Sequence, residues 1–112
     1  MKRILLVESD EAIAEPLRNA LVDIGYRVTH HSSLVNAQRS AGNNNYDAYI
    51  VAYYIDAGHD GIVFASSILD MISDNVILLV RPGVRIYAPR IDIQILHGNA
   101  PGLSACVNSF FA

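Results

Sequence analysis

Acidic side chains gather directly after the first apolar run of the chain: Glu8, Asp10 and Glu11 follow Ile4-Leu5-Leu6-Val7, with Ser9 between the first two. Closely spaced carboxylates suit a divalent cation, which takes oxygen ligands and draws affinity from their charge. They equally suit the start of a helix, where a negative charge is stabilised by about 0.3–1 kcal/mol against the helix dipole. That second role is the one expected of Glu8 and Asp10. Two histidines, His59 in a polar loop after the third strand and His97 at the end of the fifth, should lie on the same rim as Glu8. Two imidazoles and a carboxylate form a donor set for Zn²⁺ or another borderline metal, but their spacing matches no ligand motif. The expectation is therefore no metal and no cofactor, with His30-His31 read as the end of an edge strand.

Nothing in the chain is arranged for covalent catalysis. There is no Gly-rich phosphate loop after a strand and no Ser/His/Asp or Cys/His set at a recognisable spacing, so no enzyme is expected. Cys106, the single cysteine, cannot form an internal disulfide and falls on the apolar stripe of the last helix, where a thiol is inert filler.

Strands and helices must position these groups, and most of the chain shows them clearly. Ile4–Val7, Ala48–Ala52 and Val76–Val80 are continuous apolar runs, the pattern of strands covered on both faces. Arg27–His30 alternates in polarity and reads as an edge strand. Between these runs lie helical spacings: Ile13, Leu17, Leu21 and Ile24, closed by Gly25; Leu34, Ala37 and Ala41 after a cap at Ser32 or Ser33; and Phe64 or Ala65 with Ile68 and Ile72. Pro16 interrupts the first helix and predicts a kink there. Ile91, Ile93 and Ile95 alternate with Asp92, Gln94 and Leu96, as in a strand with one wet face. A last helix begins at Pro101 and buries Leu103, Cys106 or Val107, and Phe110.

Regular alternation of this kind implies an α/β fold on a parallel sheet. It breaks between Val80 and Ile91, where Pro82, Gly83 and Pro89 leave too little chain for a crossover helix, so an irregular segment should replace it.

With 112 residues, the chain is expected to be one domain over residues 1–112. Eleven acidic against eight basic residues give a net charge of −3. The scattered Lys and Arg argue against nucleic acid as a direct partner, because phosphate contacts need clustered positive charge. No apolar stretch approaches the roughly 18 residues of a membrane span, and a reducing, cytoplasmic setting is expected.

The run from Ile4 to Ile13, the segment Tyr46–Ala52 followed by Asp60-Gly61, and Asn75–Val80 resemble a response-regulator receiver domain. The resemblance implies a flavodoxin-like, five-stranded parallel sheet of order 2-1-3-4-5, with any site at the carboxyl ends of the strands. It also implies a chemistry: Mg²⁺ on an acidic pair after the first strand, a phosphoryl group taken by an Asp that ends the third, and a hydroxyl and a lysine that bind the phosphoryl oxygens. Residue by residue that machinery is degenerate. Glu8 fills the first acidic position, but Ser9 fills the second, Ala52 stands at the nucleophile, Val80 at the hydroxyl and His97 at the lysine. A methyl group cannot attack phosphorus. Asp56, in a loop one residue longer than usual for the family, lies too far past the strand to replace it.

Taken together these residues describe a phosphorylation-independent pseudo-receiver that acts by protein–protein contact. The alternative is a small-molecule or metal sensor at the same rim. The strip Val84, Arg85, Ile86, Tyr87 and Arg90 is the expected partner surface, since Tyr and Arg are enriched at binding hot spots. Val84, Ile86 and Tyr87 could equally cover the sheet. The partner would be another protein, an output domain or a second copy of the chain.

Overall fold

Runs such as Ile4–Val7 cannot turn alternate side chains to water, so the fold must cover both faces of the strands they form. The computed structural model describes residues 1–55, 61–83, 91 and 94–111. In chain order it comprises β1 (Arg3–Val7), α1 (Glu11–Asp23), β2 (Arg27–His31), α2 (Leu34–Asn43), β3 (Ala48–Ala52), α3 (Gly61–Met71), β4 (Val76–Val80), β5 (Gln94–Leu96) and α4 (Ala100–Phe110). Every neighbouring pair of strands is parallel and the order is β2-β1-β3-β4-β5, the flavodoxin-like arrangement expected. Every residue of β3 and β4 is buried.

Because crossovers between parallel strands are right-handed, the connection that steps from β1 outward to β2 and those that step back through β3 to β4 put their helices on opposite faces. Helix α1 accordingly packs with α4, while α3 covers β3 and β4 and α2 covers β1 and β2. The strand order reverses between β1 and β3, which opens a crevice at their carboxyl ends.

Local chemistry sets the boundaries. Asp10 caps α1, its Oδ1 accepting the Ala12 N–H at 3.0 Å. The helix runs unbroken through Pro16, an exposed position, so the Ala12 carbonyl that loses its donor faces water rather than the core. Gly25, at φ 105°, ends it in a Schellman turn: its N–H donates to Val22 and that of Tyr26 to Leu21. Ser33 caps α2 and Asn99 caps α4. Ile72 departs from its expected place on the buried face of α3. The helix stops at Met71, and Ile72 is 48% exposed beyond it.

At the far edge, Ile91 is buried, Ile95 half-buried and Leu96 exposed, in keeping with one wet face. The irregular replacement for a crossover helix, and Asp92 and Ile93 of the fifth strand, fall outside the described residues.

Candidate functional site

Five elements converge on one small pocket at the carboxyl ends of the strands. Glu8 follows β1, α1 brings Ile13, β3 ends on Ala52, β4 brings Leu79, and His97 follows β5; Tyr54 and Arg81 enter from the segments after β3 and β4. The space left among them is ≈ 10 Å³, about what one water molecule requires.

Glu8 is the one charged residue among the described residues that is buried, at 4% exposure. Its carboxylate Oε1 accepts the Asp10 N–H at 3.1 Å, and its carbonyl oxygen accepts from His30 Nε2 at 2.9 Å. Burial pushes the carboxyl above its ordinary range, and the neighbouring Asp10 charge adds to this. The Asp10 N–H bond and the charges of Arg81 and His30 pull the other way without cancelling it. Arg81 lays its guanidinium over the Tyr54 ring, 4.5 Å from the centroid, a cation–π contact that holds a positive charge at the mouth of the pocket. His97 donates its backbone N–H to Val80 at 2.9 Å, and its Nδ1 is buried with no partner among the described residues.

A raised carboxyl pKa has a direct consequence for stability. Below the unfolded value both states carry the proton and the favourable burial of the neutral group is fully present. It is lost as pH climbs from there through the folded value. Glu8→Gln keeps the acceptor for Asp10 and removes the charge. Chemical denaturation should find the variant close to wild type near about pH 4 and more stable than wild type near about pH 8. An equal difference at both pH values would show that Glu8 does not titrate in this way.

Of the residues singled out from sequence, Glu8, Ala52 and His97 meet in the pocket. Val80 is buried in β4 without lining it, and Ser9 is exposed. Asp10, weighed as a cation ligand or a charge at a helix start, is the α1 cap. His59 and Asp56 lie outside the described residues, as do Val84, Arg85, Ile86, Tyr87 and Arg90, and among the described residues no three ligating side chains come together for a metal. Sequence reasoning missed Arg81 and His30. The signal for Arg81 was its place directly after a buried strand, on the rim that holds Glu8. His30 was readable only as an edge residue, yet its imidazole ties β2 to the end of β1 and lies 3.6 Å from the Glu11 carboxylate.

Comparison with solved structures then defines the neighbourhood. Response regulator protein TrrA of Thermotoga maritima, in complex with Mg²⁺-BeF, superposes with a TM-score of 0.85 at 26% identity, covering 98% of this chain and 99% of that one. The same protein in complex with histidine kinase ThkA gives 0.82 at 25% identity over 100% of both chains. A Francisella response-regulator receiver domain gives 0.85 at 18% identity, covering 99% and 97%. The chain has the fold of response-regulator receivers. No family model and no curated protein matches it.

The Mg²⁺ that the receiver resemblance implies needs several oxygen donors, carboxylates foremost. Among the described residues the pocket offers one carboxylate, Glu8, already bonded to a backbone N–H and facing a guanidinium charge. Ala52 contributes a methyl group, and the Asp10 carboxylate is committed to its cap. This donor set does not fit the ion.

Proposed function

We propose that residues 1–112 form a single receiver-like domain, a cytoplasmic pseudo-receiver of the two-component type that works by protein–protein contact and takes no phosphoryl group. The observation that carries this reading is the pocket at the end of β3. Ala52, which the receiver resemblance sets at the nucleophile's position, lines the pocket with a methyl group, and the charge of Arg81 faces Glu8, which the same resemblance sets at a metal-binding position. Degeneracy at Glu8, Ser9, Ala52, Val80 and His97 then acts as one change. The domain keeps the receiver shape, and a fixed internal cation substitutes for a ligand-gated one.

The fold supports partner binding, as TrrA is found in complex with histidine kinase ThkA. No helix among the described residues is long and apolar enough to cross a membrane. A small-molecule sensor at the same rim is less favoured, because ≈ 10 Å³ leaves room for little more than a water, and a metal there would meet a single carboxylate, Glu8, among the described residues. On its sequence, the strip Val84, Arg85, Ile86, Tyr87 and Arg90 remains the face assigned to the partner, an output domain or a second copy.

Acetyl phosphate with Mg²⁺, applied in parallel to this protein and to TrrA, tests the chemistry by intact mass. TrrA should gain one phosphate and this protein none; a gain here would overturn the reading. For the contact face, Tyr87→Ala or Arg85→Glu should abolish partner capture with the fold intact. Retention by both variants would reduce the strip to a cover for the sheet.

A further inference from the structure

Far from the strand-end pocket, helix α2 sits on the sheet through small side chains: among its residues only Ala37 and Ala41 are buried. Between it and the β2 edge runs an open crevice of ≈ 420 Å³, within the range of small-molecule sites. Its half-buried floor is Arg3 from β1 with Thr29 and His31 from β2, and half-buried Ser40 of α2 adjoins them. Asn36, Arg39 and Asn43, also from α2, form its exposed rim.

Charge distinguishes this crevice from the rest of the molecule. The chain as a whole carries an acidic excess, 11 to 8, yet two arginines and a histidine line the crevice and no carboxylate does. Arg3 is held in place, its guanidinium donating to the Asn45 carbonyl at 3.2 Å and lying over the Tyr46 ring at 5.0 Å, with the Tyr46 hydroxyl in turn 2.6 Å from Ser40 Oγ. Asp47, which follows Tyr46, uses its carboxylate on the Arg3 backbone N–H at 2.7 Å. Among the described residues Arg39 and His31 have no acidic partner. A cationic, hydrogen-bonding concavity with a fixed guanidinium is what a phosphate monoester needs, since charge-assisted bonds to its oxygens are strong and directional.

We propose that the α2–β2 crevice binds a small phosphate-bearing molecule, with Arg3 and Arg39 on the phosphate and the Asn36 and Asn43 amides on a hydroxylated body. The same chemistry could be met by a nucleic-acid backbone. The lack of a basic run favours the small molecule.

Amide-resolved NMR titration decides this with four probes: inorganic phosphate, ribose 5-phosphate, ribose and a short single-stranded oligonucleotide. Ribose 5-phosphate should give saturable shifts at Thr29, His31, Arg39 and Ser40, bind about tenfold more tightly than phosphate, and lose about tenfold in affinity on Arg39→Gln. Ribose should give none. Absence of saturation with ribose 5-phosphate, an Arg39→Gln variant that keeps the wild-type spectrum and affinity, or tighter binding of the oligonucleotide would each overturn the proposal. None of these results bears on phosphorylation at the strand-end pocket, so the two readings fail separately.

Discussion

Gly61→Ala should lower the stability of the fold by about 3 kcal/mol, at the upper end of what overpacking costs. Gly61 opens α3 against the end of β3, and a Cβ added there would stand 1.8 Å from the Ala52 carbonyl oxygen and 2.9 Å from that of Tyr53. Neither atom belongs to a flexible side chain. Ala52 is paired in register with Leu79, and Tyr53 donates its N–H to the Leu79 carbonyl at 2.9 Å, so relief requires α3 to move off the sheet. Alanine gains about 1 kcal/mol over glycine in helix propensity, and the clash outweighs it. Urea denaturation measures the balance. A change of less than about 0.5 kcal/mol, the ordinary effect of a surface substitution, would mean that the helix does not sit this close.

Ala52→Asp is the second large effect, and it separates a missing nucleophile from a remodelled pocket. Position 52 is 3% exposed, and the new carboxylate would share ≈ 10 Å³ with that of Glu8. Two buried like charges disfavour each other's ionisation, and Arg81 offsets part of the cost. A loss of about 3 kcal/mol at neutral pH is expected. Both carboxyls would be pushed upward, so the loss should shrink as pH falls and the pair takes up protons. Acetyl phosphate with Mg²⁺ should still leave the variant's mass unchanged, because Ser9 and Val80 supply neither the second metal carboxylate nor the hydroxyl. Phosphate uptake by this single variant would show that the nucleophile alone had been lost.

Reading the chain worked best where one local rule dominates. The continuous apolar runs placed β3 and β4 at their observed limits, while the sheet order, which matches, came from the receiver resemblance and not from the runs themselves. Gly25 marked one end of α1 and Ser9 or Asp10 the other, the cap falling on Asp10, because turn and cap geometry are local properties of such residues. Longer-range contacts were less legible. Nothing in the vicinity of Arg81 announces that its guanidinium will stack on Tyr54, and the His30 contact with the Glu8 carbonyl spans two strands whose register emerges only on folding. Ile72 fits the helical spacing but not the helix, since a periodic pattern does not say where the last turn ends. The α2–β2 crevice escaped because Arg3, His31 and Arg39, which line it, are far apart in sequence and so never form a run.

The margins of the sheet carry a further consequence. One is β2, whose sequence Arg27-Val28-Thr29-His30-His31 is mostly polar; the other, among the described residues, is β5, of which Gln94–Leu96 are seen. A polar border such as β2 makes a poor template for a strand from another molecule, so concentrated solutions of this protein should resist fibrillar aggregation through that edge. Should two copies associate, the β2 side would offer helices or loops rather than a continuation of the sheet from one molecule into the next.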